Sequence, residues 1–146
     1  MLAAPLALGA AACSGTGRGR GGAPDRDAQA VQDARARELS LLAAYDAAIA
    51  GLPGDPVLAG VRAEHLAHLQ ALGGREPTGG ATPTASVSAP PPQVRDTLMA
   101  AERGAATAGQ AAAVNARSPA TAQLLASIAA SEASHPATLG AVGAVR

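Results

Sequence analysis

Two short breaks and one long one divide the chain beyond residue 26 into four stretches with helical spacing, and this most constrains the fold. Val31, Ala34, Leu41, Leu42, Tyr45 and Ile49 recur at helical intervals until Gly51-Leu52-Pro53-Gly54 interrupts them. Asp55-Pro56 then reads as a capping residue followed by proline in the first turn, opening a second helix that runs to about Leu72 before Gly73-Gly74. A third helix spans about Val94 to Ala116, and Ser118-Pro119 opens a fourth, which carries Leu124, Leu125, Ile128 and Leu139. Short connections join neighbouring helices into antiparallel hairpins. The stretch from 73 to 93, rich in Pro, Gly, Ser and Thr, is far longer than neighbours need. About 20 extended residues reach roughly 65 Å, twice the length of a 20-residue helix at about 30 Å. The expectation is an all-α four-helix bundle of two antiparallel hairpins, with a long crossover linker.

Composition supports helices and excludes several functions. Alanine is the commonest residue, and the 11 basic residues, all arginine, balance the 11 acidic ones. No basic surplus marks a nucleic-acid partner, and Tyr45 is the only Phe, Trp or Tyr, so base stacking has no platform. No apolar run reaches the roughly 18 residues that span a bilayer. No glycine-rich loop follows a strand, and no Ser-His-Asp set stands out. An Ala-rich seam buries little apolar volume, so metal or a homodimeric partner is expected to add stability.

The acidic residues carry the functional signal. The sequence holds five glutamates, and four of them fall on or beside the apolar face of a different helix. At 100° per residue, Val31, Leu42, Tyr45 and Ile49 lie within about 40° of Glu38. Leu98, Ala106, Gly109 and Ala113 flank Glu102 in the same way, and Leu125, Ile128 and Leu139 flank Glu132. Glu64 sits nearer the edge of its stripe, with Val61 and His68 within about 60°. Buried carboxylates need compensation. Two divalent cations would neutralise four of them, and neutral histidines would complete the coordination.

Glu132-Ala133-Ser134-His135 is a Glu-x-x-His sequence, and Glu64-His65-Leu66-Ala67-His68 supplies a related one with His68 facing the same way as Glu64. Together with single glutamates on the first and third helices, this resembles the ferritin-like di-iron carboxylate bundle. More narrowly, AEHLAHL and SEASH resemble a ferritin-like domain of secreted proteins in GC-rich Gram-positive bacteria. The resemblance implies a pair of iron or manganese ions held by Glu38, Glu64, His68, Glu102, Glu132 and His135. It makes Glu64 and Glu132 bridging ligands and Glu38 and Glu102 terminal ones, with a ferroxidase- or peroxide-type activity at most. It also sets Tyr45 near the metal, and His65 is expected to face a neighbouring helix. Pro136 is expected to kink or end the fourth helix just beyond His135. With the four-residue Glu64–His68 spacing, it supports a second reading, a metal-free structural or interaction module of the cell envelope.

The first 13 residues belong to a separate segment. Met1–Ala12 is uncharged and apolar and precedes the only cysteine, Cys13. This resembles a bacterial lipoprotein signal, which implies cleavage before Cys13, lipidation of that residue and attachment to the outer face of the membrane. A secreted protein is the alternative. Residues 14–26 would then be a flexible tether to the domain at 27–146.

Overall fold

The computed structural model describes residues 25–76 and 90–141. These form four α-helices, and no strand occurs among the described residues: α1 (Arg26–Gly51), α2 (Pro56–Ala71), α3 (Pro91–Asn115) and α4 (Pro119–Ala141). No described helix is long and apolar enough to cross a membrane. Cys13, the apolar leader and most of the crossover lie outside the described residues.

Each helix start has a local cause. Asp25 accepts from the amide of Asp27 at 3.3 Å, so the helix takes in Arg26, the last residue of the expected tether. The Asp55 carboxylate accepts from the amides of Val57 and Leu58 at 3.0 and 3.3 Å, and Pro56 occupies a first-turn position that needs no amide. The hydroxyl of Ser118 accepts from Thr121 at 3.4 Å. α3 begins three residues earlier than its periodicity suggests, because Pro91 and Pro92 fall in a first turn that tolerates proline. Just beyond α2, Gly73 turns the chain with a φ of 73° that suits glycine, and the Arg35 guanidinium donates to the free carbonyl of Leu72 at 2.6 Å.

α4 continues through Pro136 to Ala141, so the helix does not end at the proline. Proline withdraws one donor from the helix and crowds the carbonyl of residue 132. Leu139, one turn beyond, is fully buried and holds the last turn against the core.

The apolar core is split into two clusters. One joins Tyr45 and Ala48 of α1, Leu58 and Val61 of α2, Val94 and Leu98 of α3, and Leu139 of α4. The other joins Ala34, Leu72, Leu125 and Ile128. α3 packs most extensively on α4 and α1 on α2, whereas α2 and α3 barely touch. Gly109 permits the close approach of α3 to α4: a Cβ there would meet the Ala129 Cβ at 2.9 Å. Across the ends, Asp27 accepts from the amides of Arg117 and Ser118 at 2.9 and 2.7 Å, and Arg95 pairs with Asp55. The midsection between the two clusters is polar.

Candidate metal centre

All four helices deliver ionisable side chains to that midsection. In α1, Glu38 follows Ala34 by one turn and precedes Leu42 by another, which drives it into the interior with 1% exposure. Glu102 on α3 and Glu132 on α4 occupy the same place on their stripes and are likewise buried. His135 is brought in one turn after Glu132 and before buried Leu139. With the fully buried His65 of α2, three carboxylates and two imidazoles share one buried space.

His65 is the hub. Its Nδ1 lies 2.9 Å from Glu38 Oε2 and its Nε2 lies 2.8 Å from Glu102 Oε1. Glu102 also accepts from the Tyr45 hydroxyl at 2.6 Å, and its Oε2 lies 3.0 Å from His135 Nδ1. The other nitrogen of His135 lies 3.0 Å from Glu64 Oε2, with the Ser131 hydroxyl donating to that same oxygen at 3.3 Å. His68 stands at the margin, its Nδ1 3.5 Å from Glu38 Oε1 and out of line for a hydrogen bond.

The structure therefore brings together Glu38, Glu102, Glu132 and His135, with His68 at one edge and Glu64 at another. It revises the role of α2. His65 occupies the centre, where sequence reasoning set His68, and the Glu64 side chain is 56% exposed. The cause is geometric: Leu58, Val61, Leu69 and Leu72 are the buried apolar residues of this segment, and all lie within about 40° of His65, which leaves Glu64 about 100° away. Applying to His65 the test used for the glutamates would have found it.

The local electrostatics follow from this packing. Burial disfavours the Glu102 carboxylate, yet hydrogen bonds from His135, His65 and Tyr45 outweigh it and hold the group at about 2. Burial likewise opposes ionisation of Glu38, which the adjacent His65 and His68 more than offset, so it too lies below the ordinary range. Burial disfavours the His65 imidazolium, but the flanking Glu102 and Glu38 carboxylates raise it to about 9. His135 is raised for the same reasons, against its burial, by Glu102 and Glu64. Glu132 goes the other way: burial, and then the charges of Glu38 and Glu102, push it up to about 7. Burial and the adjacent Glu102 also raise the Tyr45 phenol, which stays a neutral donor.

The donor set suits a divalent cation. Glu38, His65 and His68 each offer one donor atom, all within 4.8 Å of one another, and His65, Glu102 and His135 form a second such group. Among the described residues, two buried side-chain atoms have no hydrogen-bond partner, His68 Nδ1 and Glu132 Oε2. A lone pair left unmatched in a buried space is what a metal ligand lacking its ion would show. Carboxylate oxygens with imidazole nitrogens match the preferences of iron, manganese and zinc. Comparison with family models, with curated proteins and with solved structures finds no match to this chain.

Proposed function

We propose that this chain is a ferritin-like carboxylate bundle holding a pair of metal ions, iron or manganese, in its polar midsection. The observation that carries this reading is the convergence of Glu38, His65, Glu102, Glu132 and His135 from four helices into one buried space. The ferritin-like topology draws support from the order of the clusters along each helix. α1 and α4 pass from the Leu72–Leu125 cluster toward the Tyr45–Leu58 cluster, whereas α2 and α3 pass the opposite way. This order supports the reading of two antiparallel hairpins.

Glu38, His65 and His68 would hold one ion, and Glu102 and His135 the other, with Glu132 offering its unpartnered oxygen to the same space. The chemistry such a pair supplies is oxidation of ferrous iron or reduction of peroxide. The chain's own residues hold the ligands in place and keep bulk water away. The Tyr45 hydroxyl and the rings of His65 and His135 orient the Glu102 carboxylate from three sides. The leader and Cys13 support attachment to the outer face of the membrane. Retention in the membrane fraction, lost on Cys13→Ser, is the expected result.

The test is direct. The purified protein, titrated with ferrous iron under anaerobic conditions, is expected to bind two equivalents, and Glu102→Ala to lose them. Trace binding that Glu102→Ala leaves unchanged would overturn the metal reading in favour of a metal-free bundle. Aerobic oxidation of the bound iron then asks whether a ferroxidase activity accompanies binding.

A further inference from the structure

The centre is closed to solvent over most of its surface. Glu38, His65, Glu102, Glu132 and His135 are each no more than 2% exposed. Among the described residues of the cluster, only Glu64, with 56% of its side chain exposed, and His68, with 14%, reach the surface substantially. Both lie on α2: Glu64 meets Ser131 and His135 of α4, and His68, beside Glu38 of α1, has its ring centroid 6.3 Å from that of His135. The α1–α3 side is different in chemistry. The groove level with Glu38 and Glu102 is lined by four alanines, Leu41 and Ser40, and its one charged side chain is Arg37, while the Asp33 carboxylate lines only the next groove along that seam, toward Ala116. A cation approaching that groove meets a guanidinium and no carboxylate.

The geometry points to Glu64 as the port of the centre: a surface carboxylate that collects a divalent cation and passes it inward, and not one of the resident ligands. This rests on the metal-centre reading above. A continuous line of donors leads in from it. Glu64 Oε2 lies 3.0 Å from His135 Nε2, and His135 Nδ1 lies 3.0 Å from Glu102 Oε2. The Ser131 hydroxyl touches both ends of the first step, 3.3 Å from Glu64 and 3.4 Å from His135 Nε2. It keeps the exposed carboxylate turned toward the ring. His68 offers a second donor beside this route, with its Nδ1 free of hydrogen bonds. A carboxylate with more than half its surface in water exchanges its own hydration cheaply. It can bind a hydrated cation and release it to an imidazole one step deeper, which the buried Glu38 and Glu102 cannot do for an ion still in solvent.

Loading kinetics with cobaltous ion alone, followed by its visible absorption and by equilibrium dialysis, separate a port from a ligand. Glu64 is exposed, so Glu64→Gln leaves the fold intact. The variant is expected to bind the same number of equivalents with the same end-point spectrum. Its loading rate at low salt is expected to fall roughly tenfold, the lower end of what one focused charge contributes to cation capture. Added salt slows the wild type and has less effect on the variant. Arg37→Gln, on the opposite seam, loads at the wild-type rate. Loss of an equivalent or a changed spectrum in Glu64→Gln overturns the proposal by making Glu64 a ligand. An unchanged rate in Glu64→Gln, or faster loading in Arg37→Gln, overturns it by moving the route. A wild type that binds no cobalt removes the metal centre itself, which distinguishes failure of that reading from failure of the port.

Discussion

Glu132 offers the sharpest test of what the midsection is for. It is 2% exposed, its Oε2 has no hydrogen-bond partner, and its pKa stands at about 7 against an ordinary 4.5. A raised folded-state value means that the protonated form is the one the fold tolerates. Whatever Glu132 contributes is therefore present below pH 4.5 and lost as the pH rises through 7. At about 1.4 kcal/mol per pH unit, that displacement corresponds to a loss of about 3 kcal/mol by pH 8 in the metal-free protein. Glu132→Gln keeps the shape, removes the charge and supplies amide hydrogens to the neighbouring carboxylates. In chelator, the variant is expected to match the wild type near pH 5 and to exceed it by about 2–3 kcal/mol at pH 8. For a domain of this size the gain is a melting-temperature rise on the order of 10 °C. Urea denaturation at the two pH values, followed by circular dichroism, measures it. The same substitution should abolish the extra stability that metal confers on the wild type. A variant less stable than the wild type at pH 8, or a difference that does not change with pH, would refute the reasoning.

Three further outcomes follow from the same geometry. Metal binding must displace the protons that His65 holds up to about 9 and Glu132 up to about 7, so apparent affinity rises with pH from 6 to 9. Titration calorimetry in two buffers of different ionisation enthalpy counts the protons released. Gly109→Ala puts a Cβ within 2.9 Å of the Ala129 Cβ, where neither backbone can yield, and is expected to cost about 1–3 kcal/mol in denaturation experiments. Tyr45→Phe removes one hydrogen bond to Glu102 and is expected to lower stability by about 1 kcal/mol in the same experiments while metal stoichiometry stays unchanged.

What the sequence made legible was whatever rests on short-range periodicity. Asp55-Pro56 and Ser118-Pro119 mark helix starts because a cap and a first-turn proline act within three residues. Glu38, Glu102 and Glu132 stand out as buried because each is flanked by apolar neighbours one turn away on both sides. Pro136 does not end α4, because the burial of Leu139 beyond it offsets what one lost hydrogen bond costs, and no local rule contains that burial. The Glu-x-x-His pattern points to Glu64 and His68, whereas His65 shows only as the centre of the stripe formed by Leu58, Val61, Leu69 and Leu72. Asp27 left no local sign of its role at all. Its partners, the amides of Arg117 and Ser118, lie about 90 residues along the chain and meet it only after the bundle has assembled.

The placement of the charged layer bears on why it exists. A bundle of this composition has little apolar volume to spare, and the layer interrupts its core at the middle, where leucines would bury most surface. Buried ion pairs rarely exceed well-packed apolar residues in stability, and often fall short of them. Part of this layer does balance itself, since Glu38 and Glu102 are each satisfied by imidazoles. Glu132 is not. It adds a third carboxylate to two charged ones, faces them without a partner for Oε2, and is raised toward protonation by their charge. Once ionised, that residue has no compensating partner in the metal-free bundle. A bound cation would supply one, because it would turn the repulsion among three carboxylates into shared coordination and match the orphaned oxygen. The group that stabilises the metal-free fold least is thus the one that a cation would stabilise most.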